Sequence, residues 1–422
     1  MEIKEYDVVV IGGGAAGLMA AGTAAINGKR VLLLEKMEKT GRKVRISGKG
    51  RCNLTNMCTD EEFFAKIQNG AGFFNFAYTQ FTNRALVRFM ERKGVQLTTE
   101  RGGRVFPTSG KAWDIAQALV DWCREEGVMI ECNAKVEALN IIAGKIRSVV
   151  YTNARGYRRK VESPAVILAT GGASYPATGS TGDGYKLAHE AGHTIVPVRP
   201  SLVPLETSYE EAKFMAGLLL KNVQVQLLVE GEVVQSEFGE MLFSKRGVEG
   251  AVVLRMSRKA VDALIDEKRV ELEIDLKHAM DHDELRERIQ REIAEQPNTL
   301  TVGELLRKIM PRELVVPMAK AIGAHAKHSM GELKEEKVER LTNTLKAFRI
   351  PISDYRPFEE AIVTAGGVEL SEINPHTLES TLVKGLYFAG EVMDLDANTG
   401  GYNLQIAFST GRLAGQLRGS DN

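Results

Sequence analysis

The sequence predicts an α/β fold with a parallel sheet and a nucleotide cradle at its start, and three observations carry that reading. Residues 6–11 are a short apolar run rich in β-branched side chains, the pattern of a strand buried on both faces. Gly12, Gly14 and Gly17 follow at once in G-x-G-x-x-G spacing and lead into an Ala-rich helical stretch, 15–27. A second apolar run, 30–34, ends at Glu35, 21 residues after Gly14.

Each part of this strand–helix–strand unit has a physical role. Gly12 permits the tight turn out of the first strand. Gly14 lets the backbone approach a pyrophosphate, and Gly17 lets the helix pack closely on the sheet. The helix N-terminus offers free N–H groups and a positive dipole end to phosphates. Gly28 falls where a left-handed C-cap closes the helix. Glu35 stands where a carboxylate accepts hydrogen bonds from an adenosine ribose. The unit alone does not separate FAD from NAD. Its place at the chain's start, with glycine-rich signals returning near the far end, favours a resident FAD.

Residues 8–26 carry no charge over 19 positions, close to the roughly 20 a bilayer span needs. Five glycines and the division into strand and helix argue against a span. Residues 1–7 carry charges of both signs and do not read as a secretory leader. The four cysteines, Cys52, Cys58, Cys123 and Cys132, form no C-x-x-C pair, so reduced thiols and a cytoplasmic setting are expected.

Further along, 36–60 reads as a long, basic, glycine-rich loop. Residues 61–125 read as mostly helical, interrupted at 101–107. A strand is expected over 128–139, a hairpin from 145–152 and 157–161, and another buried strand over 165–169. Thr170 and Gly171, at the end of that strand, join the expected cofactor set. Pro197, Pro200 and Pro204 mark a change of character. Residues 222–257 alternate as strands do, 260–347 are charged and helical, and strand-and-turn signals resume from 357. The predicted organisation is an α/β domain built from 1–194 and 356–422. It is interrupted by a β-rich insert at 195–258 and a helical insert with its return linker at 259–355.

Lys+Arg and Asp+Glu number 55 each, and 44% of residues are hydrophobic. This composition excludes a largely disordered or collagen-like chain and a protein that coats nucleic acid by bulk charge. The charge is uneven, however. Residues 29–111 hold 17 Lys+Arg against 7 Asp+Glu. FAD's two phosphates account for little of that excess, so an anionic partner such as NADPH or RNA, or a solvated face, is expected there. Arg84, Arg88, Arg92 and Lys93 lie at helical spacing within it.

Several longer stretches carry a family likeness: GGGAAGLMAA (12–21), GRKVRISGKGRCNLTN (41–56), ILATGGASYPATGSTGDGY (167–185), FSKRGVEGAVVL (243–254) and the run from 365 to 411. On these the chain resembles the BaiN-like (YhiN-type) flavoproteins, a family of FAD/NAD(P)-dependent and aminoacetone oxidase-like oxidoreductases. Lys49 departs from the commoner glycine of that pattern. The resemblance implies a Rossmann-like FAD domain of the two-dinucleotide-binding type with an inserted β-barrel and a helical subdomain. It also implies that Ala15 and Ala16 meet the pyrophosphate, that Lys36, Arg42 and Lys43 flank the adenosine phosphates, and that Val136 contacts adenine.

Other residues follow from position. Glu391, after a strand ending Ala-Gly, would bond the ribitol or a phosphate-bound water. Gly401, Tyr402, Asn403 and Leu404 open the last helix, whose N–H groups would face the flavin N1/C2=O edge. Ser47, Gly48 and Asn53 belong to a loop suited to skirting a flavin ring. Cys52 within it is either a proton donor or a small buried filler. The histidine pairs His278/His282 and His325/His328 lack a third ligand, and no metal is expected. No second G-x-G-x-x-G occurs between 195 and 350, so NAD(P)H, if it is the donor, would visit an open flavin face. Three activities fit: reduction of an activated C=C bond, including a uridine in ribosomal RNA, by hydride transfer through flavin N5; oxidation of a small molecule; and a redox-sensing, RNA-associated flavoprotein without catalysis. No membrane partner is expected.

Overall fold

A computed structural model describes residues 5–295 and 300–419. The chain divides into two compact units, Met1–Pro200 with Ile362–Asn422, and Ser201–Ala361. In the first, β1 (Val8–Ile11), α1 (Ala15–Ile26) and β2 (Val31–Glu35) form as their patterns predict. The uncharged stretch is thus a strand and a 12-residue helix. Among the described residues no helix is long and apolar enough to cross a membrane.

The stretch expected as loop, 36–60, contains a short helix, α2 (Arg42–Ile46). Further helices cover Ala71–Gln80, Asn83–Arg92 and α3 (Ala112–Glu125). Then come β3 (Met129–Cys132), β4 (Ala165–Leu168), α4 (Asp183–Glu190), β5 (Leu386–Phe388) and α5 (Tyr402–Ala414). The five strands make one sheet in the order β5-β4-β1-β2-β3, all parallel. Four of its strands are almost wholly buried, because helices and loops cover both faces, while the edge strand β3 is partly exposed. Three antiparallel strands, Lys135–Ile142, Lys145–Thr152 and Arg158–Glu162, make the crossover from β3 to β4.

From β1 the chain builds outward through β2 and β3, then returns to the other side of β1 with β4 and β5. The order therefore switches between β1 and β4, and the C-terminal ends of these strands diverge around a crevice.

α5 lies against α1 through small residues. A Cβ on Gly411 would stand 2.3 Å from the Ala16 carbonyl oxygen, and one on Gly415 would stand 2.4 Å from that of Ala20. These two glycines, one helical turn apart, bring the chain's last helix against the helix that follows the cradle.

The second unit has its own core. Its seven-stranded antiparallel sheet runs in the order Phe348–Ile352, Val270–Asp275, Leu219–Val229, Glu232–Phe243, Gly247–Glu249, Leu205–Glu206, Asp354–Tyr355. Only Ser353 separates its two edge strands in the chain, so the sheet must curl until its edges nearly meet. The expected boundary at 258/259 does not separate two bodies here. Strands from both proposed inserts enter this sheet, and one core serves the strands and the helices. Residues 251–257, expected as strand, open the helix Ala251–Ile265.

Candidate functional site

One cleft lies over the C-terminal ends of the parallel strands in the first unit, enclosing about 1390 Å³ with its open mouth included. The wall takes Ile11–Gly14 from the end of β1, Leu34–Lys36 from β2, Ala169–Gly171 from β4 and Ala389–Glu391 from β5. It is completed by Ala15 and Ala16, Arg42–Val44 and Ser47, Ala134–Val136, and Asn403 and Leu404.

The three glycines differ in what holds them. Gly12 has φ +102°, and a Cβ there would lie 2.4 Å from the Ala169 carbonyl oxygen. A Cβ on Gly17 would stand 1.8 Å from the Gly12 carbonyl oxygen. Both are required by the protein's own packing. Gly14, at the N-cap of α1, has an extended backbone that any residue adopts, and a Cβ there meets no protein atom within 4 Å. Nothing in the fold requires glycine at 14, and the space above it is open to the cleft.

Glu35 faces this turn. Its carboxylate accepts hydrogen bonds from the Gly13 N–H at 2.7 Å and the Met37 N–H at 2.8 Å. Burial pushes its pKa up, opposed by those two bonds.

The cations are held by the protein's own acids. Lys36 Nζ donates to Asp183 Oδ2 at 2.7 Å and also to Thr181. Burial resists ionisation of Asp183, but the Lys36 ammonium prevails and holds the carboxyl below its ordinary value. Arg42 pairs with Glu38 and donates to the Ala177 carbonyl at 3.0 Å. Lys43 Nζ donates to Glu391 Oε2 at 2.9 Å and to Ser174 Oγ at 2.7 Å. The other Glu391 oxygen accepts from Ser174 Oγ at 3.0 Å and from the Thr364 N–H at 2.8 Å. A connected polar wall therefore joins α2, the loop after β4, and the turn after β5.

Some expected residues lie elsewhere. Cys52 is fully buried and off the cleft wall, and burial pushes its thiol up to about 12. Such a thiol is a poor proton donor, and the filler reading of Cys52 is the one its surroundings fit. Gly48 and Asn53 are also off the wall. Gly48 takes φ +57°, and a Cβ there would meet the Asn53 backbone N at 2.9 Å, so the pair shapes the loop.

Gly401 and Tyr402 are off the wall as well. Gly401 packs against the Thr55 backbone. The Tyr402 ring sits edge-on to Phe63 at 5.0 Å. Asn403 stays on the wall, its side chain pinned to the Ala397 N–H and carbonyl at 2.9 and 2.7 Å.

Asp183, Ser174 and Thr364 were not singled out by sequence reasoning. Asp183 and Ser174 lie in the stretch SYPATGSTGDGY, where local pattern gives the polar side chains no role. Thr364 sits 190 residues from Ser174, with its hydroxyl 3.0 Å from that backbone N–H, a pairing no local pattern signals.

The family model described as "HI0933-like protein Rossmann domain" matches residues 6–417. The chain belongs to the HI0933-like family. It is thereby an FAD-dependent oxidoreductase of the BaiN/YhiN type. Among curated relatives, 3-dehydro-bile acid delta(4,6)-reductase of Clostridium scindens is 33% identical over 96% of this chain and 97% of its own length. Ribosomal RNA dihydrouridine synthase of Escherichia coli is 29% identical over 97% of this chain and 96% of its own. A quinol-fumarate reductase solved with menaquinol matches at TM-score 0.54 and 18% identity, over 99% of this chain and 71% of that one. The 3-ketosteroid delta1-dehydrogenase of Sterolibacterium denitrificans matches at TM-score 0.51 and 13% identity, over 98% and 99% of the two chains. These two solved structures share the fold.

The residues present fit FAD. The open space above Gly14 suits a pyrophosphate, Glu35 suits the adenosine ribose, and the same cleft continues past Lys43 to Asn403 and Leu404.

Proposed function

We propose that this protein reduces an activated C=C bond, with FAD held in the cleft at the ends of the parallel strands. The observation that carries the reading is the empty space over Gly14, bounded by glycines that the packing itself demands, in a chain of a reductase-containing family. Bound FAD, once reduced by a two-electron donor such as NAD(P)H, would supply hydride from flavin N5 to one carbon of the double bond, with the proton for the other carbon coming from water or a cleft acid. The protein's own part is binding and orientation. The N-terminus of α1 with Ala15 and Ala16 holds the pyrophosphate, and Glu35 holds the ribose. Lys36, Arg42 and Lys43 line the phosphate end of the cleft, each already paired with a carboxylate of the protein. Thr170 and Gly171 line the opposite wall, and Val136 flanks the adenine. Glu391, fixed by Lys43, Ser174 and Thr364, orients the ribitol. Asn403 and Leu404 present the first turn of α5 to the flavin.

Both curated relatives are named for changes at carbon–carbon double bonds, one in a bile acid and one in ribosomal RNA. The cation excess of residues 29–111 supports RNA as the carrier, with a small unsaturated ketone as the second reading, supported by the 33% relative. NAD(P)H is the donor we assign. Four unpaired cysteines support a reducing, cytoplasmic setting.

The test is anaerobic. NADPH should bleach the flavin of the holoprotein, and an enone or uridine-containing RNA should then restore its colour, with the product two hydrogens heavier. A flavin that no donor bleaches, or that only O₂ reoxidises, would overturn the proposal.

A further inference from the structure

α2 continues from the cleft wall onto the surface. Val44 and Ser47 line the cleft, and Arg45 between them turns outward against α3. The close approach of α2 and α3 fixes this arrangement, since a Cβ on Gly41 would stand 3.1 Å from Ala116 Cβ. One turn before Ala116, the Arg45 guanidinium lies over the Trp113 ring at 3.9 Å. Trp113 is 52% exposed, whereas Trp122 is 1% exposed. A half-exposed indole is costly to leave in water, and Ile46, next to Arg45 in the chain, is 46% exposed as well.

The charge here differs from that of the cleft. Lys36, Arg42 and Lys43 each pair with a carboxylate. Arg45 pairs with none among the described residues, and its Nη1 is buried without an acceptor. In the flanking segments Lys49, Arg51, Arg101, Arg104 and Lys111 are all exposed. Across 45–51 and 97–114 there are six cations against two acids, Glu100 and Asp114. An apolar ring in a stretch where cations outnumber acids, with Arg51 and Arg104 sharing Glu100, suits an occupant with an aromatic face and an anionic backbone. Unpaired nucleotides have both, and stacking on aromatic or guanidinium planes is how single strands are commonly held.

The geometry points to Trp113 and Arg45 as a stacking platform for an unpaired RNA nucleotide beside the mouth of the cleft, with the surrounding cations meeting its phosphates. This rests on the reading of the protein as a reductase whose double bond is carried by RNA. It adds a second basic surface to that of Arg84, Arg88 and Arg92, which are also exposed, while Lys93 is paired with Glu125 at 3.5 Å.

The test uses the full-length holoprotein and a uridine-rich single-stranded RNA, with duplex RNA of equal length beside it. Because Trp122 is buried, quenching of tryptophan emission reports Trp113. The single strand should quench it, with a log affinity against log salt slope steeper than about −2 for three phosphate contacts. Trp113→Ala should weaken binding by roughly 5- to 150-fold, the range of one lost stacked base, and Trp113→Phe should retain most of it. Flavin absorbance and thermal melting confirm that each variant is folded and loaded. Absence of salt-dependent quenching in the wild type, unchanged affinity of Trp113→Ala, or a preference for duplex would each overturn the platform. Reduction of a small enone by the same preparation is scored separately. Turnover without RNA binding sinks the platform and leaves the reductase standing, whereas failure of turnover with every substrate sinks the reductase reading.

Discussion

Gly14→Val separates two explanations for a glycine in the cradle. If glycine were needed for folding, the variant would fail without ligand. The structure says otherwise. Gly14 has φ −79° and ψ −167°, an extended conformation open to valine, and its Cβ would meet no protein atom within 4 Å. Losing a glycine N-cap costs about 0.5–1 kcal/mol, while removing glycine's freedom from the unfolded chain returns about 0.4–1 kcal/mol. The apoprotein should therefore keep its stability to within about 1 kcal/mol.

Gly17→Ala is the contrast. Its Cβ would stand 1.8 Å from the Gly12 carbonyl oxygen, so the helix must shift, at a cost of at least about 2–3 kcal/mol. The assay is urea unfolding of apoprotein with and without FAD, beside flavin fluorescence. At FAD a hundred times its Kd the wild type should gain about 2.7 kcal/mol. Gly14→Val should gain none and purify colourless. Stoichiometric FAD on Gly14→Val, or an apoprotein as unstable as Gly17→Ala, would refute the reasoning.

Two further outcomes follow from buried groups. Cys52→Ala should keep turnover within about threefold and lose about 1 kcal/mol of stability, as a small core truncation does; the wild-type thiol, pushed up to about 12, should resist alkylation at pH 8 until the protein unfolds. A hundredfold loss of turnover would reinstate Cys52 at the chemistry. His193 is fully buried between Glu372, 3.1 Å from Nδ1, and the Ser380 hydroxyl, 2.8 Å from Nε2, and burial holds its pKa below 6.5 despite the carboxylate. The folded state then binds fewer protons than the unfolded chain, so this contribution is complete above 6.5 and is lost as pH falls through the lower folded value. Urea midpoints measured from pH 7.5 down to 5 should show that loss, and His193→Gln should flatten it; identical profiles would exclude His193 as its source.

Local pattern determined much of this protein. The strand, the glycine spacing, the helix and Glu35 are all set within about 30 residues, because the turn, the helix N-terminus and the strand end are dictated by neighbours in the chain. The spacing also distinguished Gly14, for the ligand, from Gly17, for packing. What each one faces came only from the tertiary structure: open space above Gly14, and the Gly12 carbonyl against Gly17. Alternation read 251–257 as strand, but those residues open a helix whose apolar face closes the second core. Basic composition suggested cations free to meet an anion. The fold instead paired Lys36 with Asp183 and Lys43 with Glu391, 348 residues away, and left Arg45 stacked on Trp113. Such long-range pairings depend on which strand ends the topology gathers around one crevice, and no spacing along the chain records that.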